Sequence, residues 1–280
     1  MFERILLPLD GSPVAEAAIP FATRLPSREV LLLYVDAGGD GLLPSVATGQ
    51  TLAARSYLDA IAPLFRQDGR RVEVAVECGE PAERIVDDAR VTDVIVLATD
   101  GRGMGSKLVG GCTADRVARH APAPTLLIRA RDHTPRAAGF GRIVVPLDGS
   151  MAAEAALRPA ARLASAMMLP MQLVRVYESG SAADARGAYL QDVTRRLETG
   201  VRVVAEMRRG DPATMLLAAV HPDDLIVMTT HGAGGMRRWF LGNVTERLIR
   251  RAPAPVLIAR EAAPETVLLP VTDAPAQVWW

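Results

Sequence analysis

RILLPLDGSPVAEAA, residues 4–18, returns as RIVVPLDGSMAAEAA, residues 142–156, with eleven of fifteen positions identical at an offset of 138. APAPTLLIR (121–129) returns as APAPVLIAR (252–260) at an offset of 131, and Gly79, Pro81, Gly101 and Gly111 match Gly210, Pro212, Gly232 and Gly242 at the same offset. A repeat this long is a duplicated domain and not a solenoid unit. A chain of 280 residues is also the right size for two ordinary domains. The offset is read as changing once, between the second strand and Gly79, in a surface connection. The organisation expected is repeat 1 over 1–132, a linker HTPRAAGF over 133–140, repeat 2 over 141–262, and a remainder over 263–280. In that remainder TVLLPVTDAP echoes the first-strand motif. It reads as an extra edge strand plus a tail whose Trp279 and Trp280 cover an apolar patch; pairing with another subunit is the alternative.

Within each repeat, short β-branched runs alternate with helical spacing. Repeat 1 offers ILLPL, VLLLYV, VEVAV, DVIVLA and TLLIR as strands, and repeat 2 offers RIVVPL, MQLVRV, VRVVAE, DLIVMT and VLIAR. Uninterrupted apolar strands separated by helices mean parallel sheets covered on both faces. Composition agrees, because 49% of the residues are hydrophobic while only 4% are aromatic, leaving Ala, Val, Leu and Ile to build the core. The fold class expected is therefore α/β: two tandem doubly wound parallel sheets with helices on both faces.

Charge and cysteine usage exclude several functions. Lys+Arg and Asp+Glu are equal at 32 each, which removes the electrostatic case for nucleic acid or an anionic membrane. Cys78 and Cys112 make no disulfide framework, and neither they nor the four histidines show zinc-ligand spacing. No apolar run approaches the roughly 20 residues needed to cross a bilayer, and RILLPLD follows the N-terminus without a signal-peptide pattern. A cytoplasmic setting is the expectation.

DGRGMGSKLVGGCT, residues 100–113, almost spells a Walker A loop, but Ser106 stands where a glycine is required and Leu108 where the Mg²⁺-binding hydroxyl should be. As a dinucleotide fingerprint it also fails at Ser106. Open parallel sheets bind ligands beyond the carboxyl ends of their strands, where strand order reverses. Asp10 and Asp148 each end a first strand, and the glycine loops each follow a fourth strand. If those strands are neighbours, a carboxylate and a glycine-rich loop face one ligand. Glycines let backbone N–H groups approach phosphate oxygens, and the helix that follows offers its N-terminus to an anion. Asn243 is a good N-cap there and Cys112 a poor one. The carboxylates could accept from ribose hydroxyls or an exocyclic amine. The purely structural reading is that Asp-Gly-Ser is a turn and helix cap and that the glycines serve tight packing.

PLDGS after the first strand, two glycines separated by nine residues after the fourth, and a helix leading into APxPVLIxR resemble the universal stress protein family over almost the whole chain. In its nucleotide-binding branch the loop is similar to G-x₂-G-x₉-G-[ST]. The resemblance implies five strands per repeat in the order 3-2-1-4-5, with ATP, with or without Mg²⁺, between the ends of strands one and four. It implies site residues Pro8, Leu9, Asp10, Val35, Ala98, Gly101, Arg102, Gly111, Cys112 and Thr113 in repeat 1. In repeat 2 these are Pro146, Leu147, Asp148, Val176, Thr229, Gly232, Gly242, Asn243 and Val244. The aspartates would hold ribose or base, the backbone at Val35 or Val176 would meet adenine, and the glycines and their followers would wrap the phosphates.

The chain departs from the pattern at four positions: the first motif glycine is Ala98 or Thr229, and the terminal Ser/Thr is Cys112 or Asn243. Threonine is β-branched and crowds a phosphate, a thiol is a weak donor, and Asp100 repels phosphate where repeat 2 has His231. The balance favours repeat 2. The resulting expectation is an ATP-binding stress-response or regulatory protein, not an enzyme, with an unidentified protein partner and room for a homodimer. The alternatives are a scaffold that has lost nucleotide binding and a weak ATPase, the latter without a Walker lysine–hydroxyl pair.

Overall fold

The computed structural model describes residues 2–38, 44–100, 113–130, 139–177, 183–197, 200–229 and 243–260. The proposed extra strand and tail lie outside the described residues. In repeat 1 the strands are β1 Arg4–Pro8, β2 Glu29–Asp36, β3 Arg71–Cys78, β4 Asp93–Thr99 and β5 Thr125–Arg129. Their helices are α1 Pro13–Glu16, α2 Ile19–Ala22, α3 Pro44–Ile61, α4 Pro63–Arg66, α5 Pro81–Asp88 and α6 Thr113–His120. In repeat 2 the strands are β6 Arg142–Leu147, β7 Met171–Tyr177, β8 Val203–Arg209, β9 Asp224–Met228 and β10 Val256–Ile258. Its helices are α7 Met151–Glu154, α8 Leu157–Met167, α9 Ala183–Arg196, α10 Pro212–Ala219 and α11 Asn243–Arg251.

Each half carries the order 3-2-1-4-5, but the halves are not two separate sheets. They fuse into one ten-stranded sheet, β3-β2-β1-β4-β5-β10-β9-β6-β7-β8. The junction is antiparallel, with Val256 opposite Leu127 and Ile258 opposite Thr125, so the sheet is mixed where two purely parallel ones were expected. The physical reason lies in the edges. A lone five-stranded half would leave β5 or β10 with unpaired N–H and C=O groups along an apolar strand; pairing the two satisfies both. Arg260 fastens the same junction by donating to the Ala118 carbonyl, 2.6 Å away near the C-terminus of α6, where a cation also meets the negative helix end.

Alternation along the strands splits the core into two layers. Ile5, Leu7, Leu32, Ile143, Val145 and Leu173 point to one face, under Phe21, Leu58, Phe65, Leu163 and Leu190. Leu6, Leu33, Val144 and Val174 point to the other, under Ile85, Val117, Leu216 and Leu248. The first layer runs across the repeats, with the Phe21 and Phe140 rings 5.9 Å apart.

Strand pairing also shows that the repeat offset changes more than once. Pro8 pairs with Leu33 and Pro146 with Val174, so the offset has already grown from 138 to 141 at the second strand. The added residues lie in the crossover, where α8 runs for 11 residues and α2 for only 4.

Two mirrored ion pairs secure the far end of the sheet. Arg4 donates through Nε and Nη2 to Asp93 at 3.2 and 2.7 Å, and Arg142 donates to Asp224 at 2.8 and 2.9 Å. Both pairs lie at the N-terminal ends of the first and fourth strands, opposite to PLDGS.

Candidate functional site

The crevice follows from where strand pairing stops. β1 pairs with β4 only from Arg4 to Leu6, yet with β2 as far as Pro8, and the Leu9 N–H still donates to the Leu33 carbonyl at 2.8 Å. Repeat 2 does the same: β6 pairs with β9 through Val144 but with β7 through Leu147. Pro8 and Pro146 stand just past the last shared residue and have no N–H to give. The first and fourth strands therefore part at the position where strand order reverses, which is where open α/β sheets take ligands. Leu9 and Leu147 are buried and belong to the core wall of the crevice.

Asp-Gly-Ser then turns the chain. One Asp10 carboxylate oxygen, Oδ1, accepts from the Ser12 N–H at 2.9 Å, and Ser12 Oγ accepts from the Ala15 N–H at 3.1 Å. Asp148 Oδ1 accepts from both the N–H and the hydroxyl of Ser150, and Ser150 Oγ caps α7 through the Ala153 N–H. Gly11 and Gly149 sit at φ +78° and +91°, where a Cβ is strained. The turn-and-cap reading of the motif is thus correct for one carboxylate oxygen of each aspartate. Both carboxylates remain exposed at the crevice mouth.

In repeat 1 a cavity of about 310 Å³ lies on the β2 side of Asp10 and Gly11, lined by these two with Tyr34, Asp36, Gln50 and Tyr57, and with Ala53 and Ala54 behind. A volume near 300 Å³ is at the lower end of small-molecule sites. The Tyr57 hydroxyl donates to Glu16 Oε1 at 3.0 Å. Burial first, and then that bond, hold its phenol well above the ordinary range, so it stays a neutral donor. Val35 points its side chain away, into the opposite core layer, while Tyr34 packs on the crevice side.

Repeat 2 has the same frame with different contents. Register makes Arg175 the counterpart of Tyr34, since Leu33 corresponds to Val174. Its guanidinium lies over the Tyr189 ring, 4.4 Å from the centroid, and reaches within 3.5 Å of the Asp148 carbonyl oxygen. A Cβ on Gly149 would meet Arg175 Nη2 at 2.8 Å, whereas one on Gly11 would meet nothing within 4 Å. Burial, and then the Glu154 carboxylate, raise the Tyr189 phenol, as burial and Glu16 raise Tyr57 in repeat 1. Val176, like Val35, turns to the other face.

On the side of the fourth strands, Ala98 is half-buried and Thr229 is buried. The Thr229 hydroxyl donates to the Ala152 carbonyl at 2.8 Å, tying the end of β9 to α7. Thr113 and Asn243 are the first residues of α6 and α11, with Thr113 and Val244 half-buried and Asn243 exposed. Gly101, Arg102, Gly111, Cys112, Gly232 and Gly242 lie outside the described residues. Among the described residues no three His, Cys, Asp or Glu side chains gather as a metal site, and no helix is long and apolar enough to cross a membrane.

Sequence reasoning missed Tyr34, Asp36, Gln50, Tyr57, Arg175 and Tyr189. One signal was available: Tyr57-Leu58 returns as Tyr189-Leu190, just as Glu16 returns as Glu154.

Comparison with known proteins bears on the family and the fold. The universal stress protein family profile matches residues 1–129 and again residues 139–260. A universal stress protein of Mycolicibacterium smegmatis is 24% identical over 289 residues, spanning 91% of this chain and 96% of that protein. Another, of Mycobacterium tuberculosis, is 23% identical over 288 residues, spanning 92% and 96%. The crystal structure of a universal stress protein from Archaeoglobus fulgidus matches with a TM-score of 0.74 at 20% identity, covering 92% of this chain and 98% of that one, a likeness of fold. With two copies of the domain joined in one sheet, the chain belongs to the universal stress protein family.

Proposed function

We propose that this chain binds an adenine nucleotide, ATP, at the carboxyl edge of its sheet and acts through that binding and through partner contacts, not through turnover. The observation that carries the reading is the cavity of about 310 Å³ beyond the carboxyl ends of β1 and β2, closed by α3. Its lining suits a nucleoside. Tyr34 and Tyr57 supply aromatic surface beside the cavity, as a base requires. Asp10 has one carboxylate oxygen engaged by the Ser12 N–H and a second available to accept from ribose hydroxyls. Asp36 adds a second carboxylate, with Oδ1 held by the Gly38 N–H. Two acidic groups suit a hydroxyl- or amine-bearing nucleoside and repel phosphate, so they favour the sugar or base end in this part of the crevice. β4 ends on the same edge and hands the chain to the glycine-bearing segment and then to α6, whose N-terminus is oriented by sequence to take the phosphates. Any Mg²⁺ would arrive on those phosphates, as it does where few protein carboxylates serve it.

The test is nucleotide extraction from the purified full chain followed by calorimetric titration with ATP. Bound nucleotide, or saturable binding below millimolar ATP, supports the reading. No bound nucleotide and no saturation at millimolar ATP refutes it. Steady phosphate release that is abolished by Asp10→Asn would overturn the claim of no turnover.

A further inference from the structure

The two crevices share a frame and differ in what fills them. In repeat 1, Asp10, Gly11, Tyr34 and Tyr57 surround open space. In repeat 2, the counterparts of three of these, Asp148, Gly149 and Tyr189, all touch the fourth, Arg175. Its guanidinium therefore stands among the counterparts of residues that surround open space in repeat 1. It is planar, it stacks on the tyrosine ring, and it points a donor at the backbone oxygen of the aspartate. Those are the contacts a base and its exocyclic amine would make there. The absence of a Cβ at Gly149 is what lets the guanidinium come this close.

We propose that Arg175 is a resident plug of the repeat 2 crevice, so that each chain takes one nucleoside, in repeat 1, and repeat 2 accepts one only when Arg175 is withdrawn. The proposal rests on the nucleotide reading above and reverses the preference that the loop substitutions alone suggest. Repeat 2 loses its ligand space not through Thr229, whose hydroxyl is turned to Ala152, but through one side chain on the neighbouring strand. It also assigns the repeats different states: the repeat 1 cavity is open to a nucleoside, and the repeat 2 crevice is occupied by its own arginine.

The decisive measurement is the ATP stoichiometry of the full chain by equilibrium dialysis, for wild type, Arg175→Ala and Arg175→Tyr. The tyrosine variant installs the residue of repeat 1 and guards against a packing defect in the alanine variant. The expected result is one ATP per wild-type chain, more weakly bound in Asp10→Asn, and two per chain in both Arg175 variants. Two per wild-type chain, or one per chain in both variants, overturns the plug while leaving nucleotide binding intact. Weaker binding in both variants also overturns it, because Arg175 would then be a ligand and not an obstacle. No ATP in wild type but one in the Arg175 variants keeps the plug and refutes the site in repeat 1. No ATP in any protein refutes both.

Discussion

Replacing Asp93 by Asn isolates a buried cation, and the mirrored pair in repeat 2 supplies its control. The Arg4 side chain is 5% exposed and Asp93 is fully buried. Besides Asp93, the guanidinium has the Asp88 carbonyl at 2.7 Å. With the carboxylate gone, the charge stays in a place that water does not reach. Breaking a buried pair in this way costs about 3–5 kcal/mol. Arg142 is paired to Asp224 in the same bidentate manner, but its side chain is 30% exposed and it keeps the Ala219 carbonyl at 3.0 Å. Asp224→Asn therefore leaves a cation that can be hydrated, and the loss approaches that of a hydrogen bond to a charged group, about 1.5–3 kcal/mol.

Urea unfolding of the full chain should separate the two variants by about 1–2 kcal/mol, the difference between the middles of those ranges, at unchanged slope. Arg4→Met combined with Asp93→Asn should recover part of the larger loss, because it removes the stranded charge. ATP affinity should not move in any of these proteins, since the pairs lie at the opposite end of strands roughly 16 Å long. Equal costs for the two single substitutions, or a cost under about 1 kcal/mol for Asp93→Asn, would refute the burial argument.

Asp10→Asn keeps an oxygen for the Ser12 N–H but replaces the ligand-facing oxygen with an amide. ATP affinity by calorimetry should fall about tenfold or more, the equivalent of a lost charge-assisted hydrogen bond of about 1.5–3 kcal/mol, with little change in unfolding midpoint. Asp211 caps α10 and pairs with Arg247. The arginine, then the Thr214 hydroxyl and N–H, lower its pKa from 3.8 to about 2. A depressed carboxylate contributes its stability above the unfolded value and loses it as pH falls from 3.8 towards 2. The deficit of Asp211→Asn in urea midpoint should therefore be present at neutral pH and shrink across that window. Met168 ends α8 in the left-handed region at φ +54° with its side chain exposed. Met168→Gly should raise stability by about 0.5–1 kcal/mol in the same assay, since glycine relieves the strain at a modest entropic cost.

Strands, helices and the doubled organisation were legible because the pattern that encodes them is local. An apolar run such as DVIVLA buries on both faces wherever its sheet goes. The junction between repeats was not legible, because TLLIR and VLIAR read as apolar strands without revealing which neighbour each will take. Only the exposed edge that each would otherwise leave explains why they pair with one another. The crevice was half legible. PLDGS repeats because its proline ends a pairing and its Asp-Gly-Ser makes a turn, so the motif marks where a site can be. What the site holds is written in residues that do not repeat. Tyr34 and Arg175 occupy one register position, and in sequence each is merely a polar residue within an apolar strand. A duplication keeps its frame under the demands of folding, while the contents of each copy are set only by whatever enters it. The substitution of arginine for tyrosine inside an otherwise repeated frame is accordingly where the contents of the two crevices part.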